Sequence, residues 1–111
     1  MDDLFSLADR KALITGGSRG IGRMIAAGFL ARGATVYISS RKAPACDETA
    51  RQLSALGPCF SLPADVSTVE GARALAAAYG NREPLLDILV NNAGAAWPPL
   101  IATANRFSTF L

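Results

Sequence analysis

An apolar run, Ala12-Leu13-Ile14, leads into Thr15-Gly16-Gly17-Ser18-Arg19-Gly20-Ile21-Gly22, and a longer apolar-faced segment leads out of it to Leu30. Read as strand, glycine-rich turn and helix, this stretch restricts the fold more than any other. A helix entered in this way leaves its first backbone N–H groups bare at the positive end of its dipole, the arrangement that receives a phosphate. Gly16 lets the chain leave the strand in a conformation that a Cβ resists. Gly20 and Gly22 fall on the first helical turn, one letting a ligand reach the backbone and the other letting helix and strand approach. Ser18 and Arg19 add side-chain donors. The spacing is neither Gly-x-Gly-x-x-Gly nor a Walker A loop, which needs Gly-Lys-Ser/Thr at its end.

The same alternation continues along the chain. Residues 11–15 read as the first strand and residues 20–32 as the first helix. Ile21, Met24/Ile25 and Gly28/Phe29 are expected to face the sheet, and Gly33 to stop the helix. Residues 34–39 form a β-branched second strand. A second helix over 45–56 carries Cys46, Ala50, Leu53 and Leu56 on one face, and Gly57-Pro58 ends it. Residues 59–63 make a short third strand, whose Pro63 suits a sheet edge. Ser67-Thr68-Val69-Glu70 matches a capping box with Ser67 as N-cap, and the third helix runs to about Tyr79. Residues 86–90 are the fourth strand. Residues 95–111 have no firm assignment, with a further helix allowed from Asn105. Strands alternating with helices imply βαβ units and a parallel α/β sheet. The expected order is 3-2-1-4, one part of a Rossmann-like doubly wound sheet, incomplete at about four strands. Strand four would then be an open edge. Residues 1–111 form part of a single domain, without a linker or repeat.

Composition narrows the function. Half of the residues are hydrophobic and 18% are charged, which suits a sheet buried on both faces. Eleven basic against nine acidic residues give a net charge of +2, too balanced to argue for nucleic acid. There is no histidine, which removes Ser-His-Asp chemistry and histidine-ligated metal; no metal site is expected. The two cysteines, Cys46 and Cys59, make no Cys-x-x-Cys motif and read as small buried apolar residues. No apolar run is long enough for a transmembrane helix. The acidic start Met1-Asp2-Asp3 is unlike a secretory signal. The expectation is a cytoplasmic protein with no membrane or nucleic-acid partner.

Three further stretches complete the candidate site. An acidic residue at the end of strand two would hold a ribose 2′-hydroxyl and select NAD. Here the sequence is Ser39-Ser40-Arg41-Lys42, and Ser40 with Arg41 suits a 2′-phosphate instead. Arg19 is placed to reach the same group. The cofactor expected is therefore NADP(H). Asp65, after strand three, is either an acceptor for the adenine amine, with Val66 covering the ring, or a helix-start residue. Asn91-Asn92-Ala93-Gly94 lies at the carboxyl end of a central strand, where open α/β sheets bind ligands. Its amides can brace neighbouring strands, and Asn92, Ala93 and Gly94 let adenosine and ribose approach.

Together, Thr15-Gly16-x-x-x-Gly20-x-Gly22, Asp65 and Asn91-Asn92-Ala93-Gly94 resemble the short-chain dehydrogenase/reductase family. Arg19 and Ser40-Arg41 resemble its NADP-preferring members. Phe5-Ser6-Leu7-Ala8 and Asn92 to Trp97 resemble, within it, the bacterial β-ketoacyl reductases linked to rhamnolipid synthesis. The resemblance implies cofactor contacts at Gly16, Ser18, Arg19, Gly20, Ile21, Gly22, Ser40, Arg41, Asp65, Val66, Asn92, Ala93 and Gly94. It implies hydride transfer between the nicotinamide and a small carbonyl or alcohol substrate in the whole enzyme, with an oligomeric assembly left open. The family's catalytic Ser and Tyr-x-x-x-Lys have no counterpart: Arg41 stands four residues after Tyr37, and Glu83 four after Tyr79. The chain thus reads as the amino-terminal cofactor half of such an enzyme. The other readings are a non-catalytic NADP-binding module and a nonfunctional truncated product.

Overall fold

The computed structural model describes residues 6–92, together with the backbone of residues 106–110. Its elements are β1 (Lys11–Thr15), α1 (Gly20–Ala31), β2 (Thr35–Ser39), α2 (Ala43–Leu53), β3 (Cys59–Ser61), α3 (Val69–Gly80), β4 (Leu85–Asn91) and β5 (Arg106–Phe110). They form one parallel sheet in the order β3-β2-β1-β4-β5. The expected 3-2-1-4 order is therefore present. The expected helix from Asn105 is not, because residues 106–110 run as a strand beside β4. A fifth parallel strand also means that β4 is interior rather than an edge.

Alternation along β1 and β2 sends side chains to opposite faces, and each face has its own core. Ala12, Ile14, Val36 and Ile38 pack with Ala26 and Leu30 of α1 and with Cys46, Ala50 and Leu53 of α2. Leu13, Tyr37, Leu86 and Leu89 pack with Ala72, Leu75, Ala76 and Tyr79 of α3. The chain steps from β1 to β3 in one direction and from β3 to β4 in the other. Right-handed crossovers then put α1 and α2 on one face and α3 on the other. Leu7 of the lead-in packs against the first core, while Phe5 lies outside the described residues.

Several details of the elements differ from expectation. α1 buries Gly22, Ala26 and Leu30, whereas Ile21 and Met24 are 67% and 71% exposed, and Gly28 is also exposed. Ile25 and Phe29 are partly buried against the first core, as expected, and the close seat of Gly22, described below, fixes the rotation that leaves Ile21 and Met24 outside. α2 ends at Leu53, so Leu56 lies beyond its buried face and is exposed. α3 begins one residue later than the capping box implies. Thr68, not Ser67, is its N-cap, and the Thr68 hydroxyl accepts from Gly71 N–H at 2.9 Å. β3 is likewise shorter than read, and Pro63 follows it. Both cysteines are free and buried. No helix among the described residues is long and apolar enough to cross a membrane.

Candidate functional site

The turn between β1 and α1 is fastened on three sides. From below, the Ser39 carbonyl accepts from Gly16 N–H at 2.7 Å and from Gly17 N–H at 3.3 Å. From the β4 side, Asn92 Nδ2 donates to the Gly16 carbonyl at 3.2 Å. From the α2 side, Thr49 Oγ1 donates to the Ser18 carbonyl at 2.9 Å. The backbone N–H groups of Arg19, Gly20 and Ile21 have no acceptor among the described residues. α1 has no side-chain cap at Arg19 and no acidic residue in its first turn. Bare N–H groups at the positive end of a helix, without a resident carboxylate, form a seat for an external anion.

The glycines have separate tasks. Gly16 and Gly20 adopt φ of 67° and 62°, where side chains are strained. A Cβ at Gly20 would meet nothing within 4 Å, so this residue faces open space. A Cβ at Gly22 would lie 2.1 Å from the Gly16 carbonyl oxygen. Gly22 is thus the glycine that brings the helix against the turn, and Gly20 is the one that leaves room beside the backbone. Ile21 projects at the mouth of the turn, largely exposed.

Parallel register sets the other stretches at the same level. Thr15 pairs with Ser39 on one side and Asn91 on the other. The fully buried Thr15 hydroxyl lies 3.4 Å from the Val90 carbonyl and 3.5 Å from Asn91 Oδ1, and it accepts from Asn92 N–H at 3.1 Å. Asn91 and Asn92 therefore brace β1 and its turn, as the sequence suggests. Ala93 and Gly94 lie outside the described residues.

At the end of β2 the Ser39 and Ser40 hydroxyls are buried without a hydrogen-bond partner. Orphaned buried hydroxyls are costly unless something completes them. Arg41 and Lys42 follow, both exposed. Asp65 comes close enough for Arg41 to act on its charge. Its carboxyl is held below the usual carboxylate range mainly by hydrogen bonds from the Ser67 hydroxyl and N–H, with Arg41 adding to the effect. Those bonds, 2.5 and 3.1 Å long, place Asp65 at the start of α3. The Val66 side chain is buried as a member of the second core.

Neither tyrosine is free to act on a ligand. Tyr37 OH donates to Glu83 Oε2 at 2.6 Å, and Tyr79 OH donates to the Leu85 carbonyl at 2.7 Å. Burial pushes both phenols up, Tyr37 to about 12 with help from the Glu83 carboxylate. They are packing residues at ring-centroid distance 5.2 Å, edge to face.

Residues 10–108, from the start of β1 into β5, match the family model for short chain dehydrogenase. The chain belongs to the short-chain dehydrogenase family. A curated member from Pseudomonas aeruginosa, the rhamnolipids biosynthesis 3-oxoacyl-[acyl-carrier-protein] reductase, is 59% identical over 97 residues, 87% of this chain and 38% of that protein. The Pseudomonas aeruginosa RhlG/NADP active-site complex matches with a TM-score of 0.83 and 56% identity, covering 92% of this chain and 40% of that one. The L-sorbose reductase from Gluconobacter frateurii, complexed with NADPH and L-sorbose, matches with a TM-score of 0.77 and 36% identity over 82% of this chain and 35% of that one. The chain thus spans about two fifths of the length of these short-chain dehydrogenase relatives.

One contact in this site escapes the sequence reading. Thr49 does not appear among the expected face residues of the second helix, yet it is 5% exposed and reaches the glycine turn. Its position was a usable signal: Cys46, Thr49, Ala50 and Leu53 fall at helical spacing, and a hydroxyl on such a buried stripe needs a partner.

Proposed function

We propose that this chain is the NADP(H)-binding part of a short-chain dehydrogenase. In the whole protein it would serve hydride exchange between the nicotinamide and a carbonyl or alcohol carbon. The observation that carries this reading is the register of Thr15 with Ser39, which sets the bare N–H turn beside the Ser39-to-Lys42 segment. One side offers a seat for a pyrophosphate. The other offers two unpartnered buried hydroxyls and two cations where a 2′-hydroxyl reader would place a carboxylate. The NADP and NADPH carried by the two structural relatives support the same choice.

Gly16, Ser18, Arg19, Gly20, Ile21 and Gly22 would hold the pyrophosphate. Ser40 and Arg41, with Arg19, would take the 2′-phosphate. Asp65 and Val66 would lie beside the adenine. Asn92, Ala93 and Gly94 would border the adenosine ribose. When bound, the cofactor supplies or accepts the hydride; the task of these residues is to bind and orient it. No Tyr-x-x-x-Lys occurs in the 111 residues, so their assigned role is binding rather than proton transfer.

Titration of the chain with NADPH and NADH, followed by calorimetry, tests this. NADPH should bind more tightly. Arg41→Ala removes one charge-assisted contact, so NADPH should weaken by about ten- to a hundredfold while NADH changes little. Equal weakening of both would remove the 2′-phosphate assignment, and failure of both nucleotides to bind would remove the cofactor reading.

A further inference from the structure

We infer that Thr49 of α2 is a positioning residue for the anion-binding turn; this inference rests on the cofactor reading above. The carbonyl and N–H of one peptide unit point in opposite directions because the unit is planar and trans. Ser18 C=O and Arg19 N–H share such a unit. Thr49 Oγ1 draws the Ser18 carbonyl toward α2 at 2.9 Å, so the Arg19 N–H is turned away from α2. That N–H is one of the bare donors at the start of α1, and no side-chain cap stabilises them in its place.

The other two fasteners act on different peptides. Ser39 holds the Gly16 and Gly17 N–H groups, and Asn92 holds the Gly16 carbonyl. Neither constrains the Ser18–Arg19 peptide. Thr49 is buried, so its hydroxyl does not exchange this bond for solvent at low cost. It sits on the buried face of α2 among Cys46, Ala50 and Leu53, which keeps its Cβ in place. The same helix begins at Ala43, with Lys42 as its N-cap, immediately after the Ser40-Arg41 pair assigned to the 2′-phosphate. One element thereby connects the two phosphate-binding regions, one through its N-terminus and the other through Thr49.

The test compares the unsubstituted chain with Thr49→Val, which keeps the shape and loses the hydroxyl, and Thr49→Ser, which keeps the hydroxyl. Calorimetric titration with NADPH and with NADH should show Thr49→Val weakening both nucleotides by a similar factor, about five- to tenfold, because both carry the pyrophosphate. Thr49→Ser should restore affinity to near the unsubstituted value. A loss confined to NADPH would place the effect at the α2 N-terminus and overturn the inference, as would a Thr49→Val chain that binds both nucleotides normally. Failure of Thr49→Ser to restore binding would also overturn it. Thermal unfolding identifies a variant that fails to fold, and Thr49→Ala then removes the same hydroxyl without added bulk. If the unsubstituted chain binds neither nucleotide, the cofactor reading falls and this inference falls with it.

Discussion

Replacing Gly22 with alanine sets a single methyl group against main chain. Its Cβ would lie 2.1 Å from the Gly16 carbonyl oxygen and 2.8 Å from Asn92 Nδ2. Ordinary contacts between carbon atoms begin near ~3.5 Å. Either α1 retreats from the turn by more than an ångström, or the Gly16–Asn92 corner is rebuilt. Overpacking of this kind costs roughly 1–3 kcal/mol, and the upper end applies because the obstructing atom belongs to the backbone. Alanine recovers about 1 kcal/mol through its helix propensity. The expected net loss is therefore about 2 kcal/mol, a large part of an ordinary domain's stability. Gly28, on the same helix, is the internal control. Nothing lies within 4 Å of a Cβ placed there, so Gly28→Ala should stabilise the chain by roughly 0.5–1 kcal/mol. Urea unfolding followed by circular dichroism reads both, as a lower midpoint for Gly22→Ala and a higher one for Gly28→Ala at unchanged slope. Shifts of the same sign in the two variants would refute the claim that Gly22 is required for close approach rather than for flexibility.

Other expectations concern protons, thiols and the α3 cap. Burial, with the Glu83 carboxylate, raises the Tyr37 phenol from 10.0 to about 12, and burial with Cys46 raises the Cys59 thiol from 9.0 to about 11. Both groups hold their protons more tightly folded than unfolded, so their stabilisation is complete below pH 9 and lost as pH rises through 9–12. Urea midpoints should fall across that window, and Tyr37→Phe should flatten the fall above pH 10. Cys46 and Cys59 should resist an aromatic disulfide reagent at pH 8 in the folded chain and react fully in denaturant, because both are buried; rapid labelling of the native chain would contradict their placement. Thr68→Ala should cost about 1 kcal/mol through loss of the Gly71 cap, and Ser67→Ala clearly less. The reverse ranking in urea would return the cap to Ser67.

The sequence was informative where one residue type had few physical alternatives. Three glycines after a short apolar strand marked the turn that leads into α1, and apolar strands alternating with helices marked the strand order. Hydrophobicity was a poorer guide to rotation. Ile21 and Met24 are larger and more apolar than Gly22 and Ala26, but the helix turns on Gly22, because only a glycine fits beside the Gly16 carbonyl. Ser67 and Thr68 are both competent caps, and the choice follows from Asp65, which engages the Ser67 hydroxyl and leaves Thr68 to receive Gly71 N–H. Periodicity places Thr49 on the buried stripe of α2 but does not name its partner, a backbone carbonyl 31 residues away. β5 escaped because a strand at residues 106–110 is defined by its pairing with β4, a non-local contact.

The short strand β3 has a consequence for how the sheet meets other chains. Leu62 and Ala64 N–H groups bond inward to the Ile38 and Ser40 carbonyls, so the outward backbone positions are 59, 61 and 63. The Cys59 carbonyl already accepts from the Ser54 hydroxyl at 3.2 Å. Position 63 is proline and has no N–H to give. Little more than Ser61 remains for a foreign strand to pair with. That border is therefore resistant to strand addition, and so to edge-to-edge aggregation, without any burial of its surface.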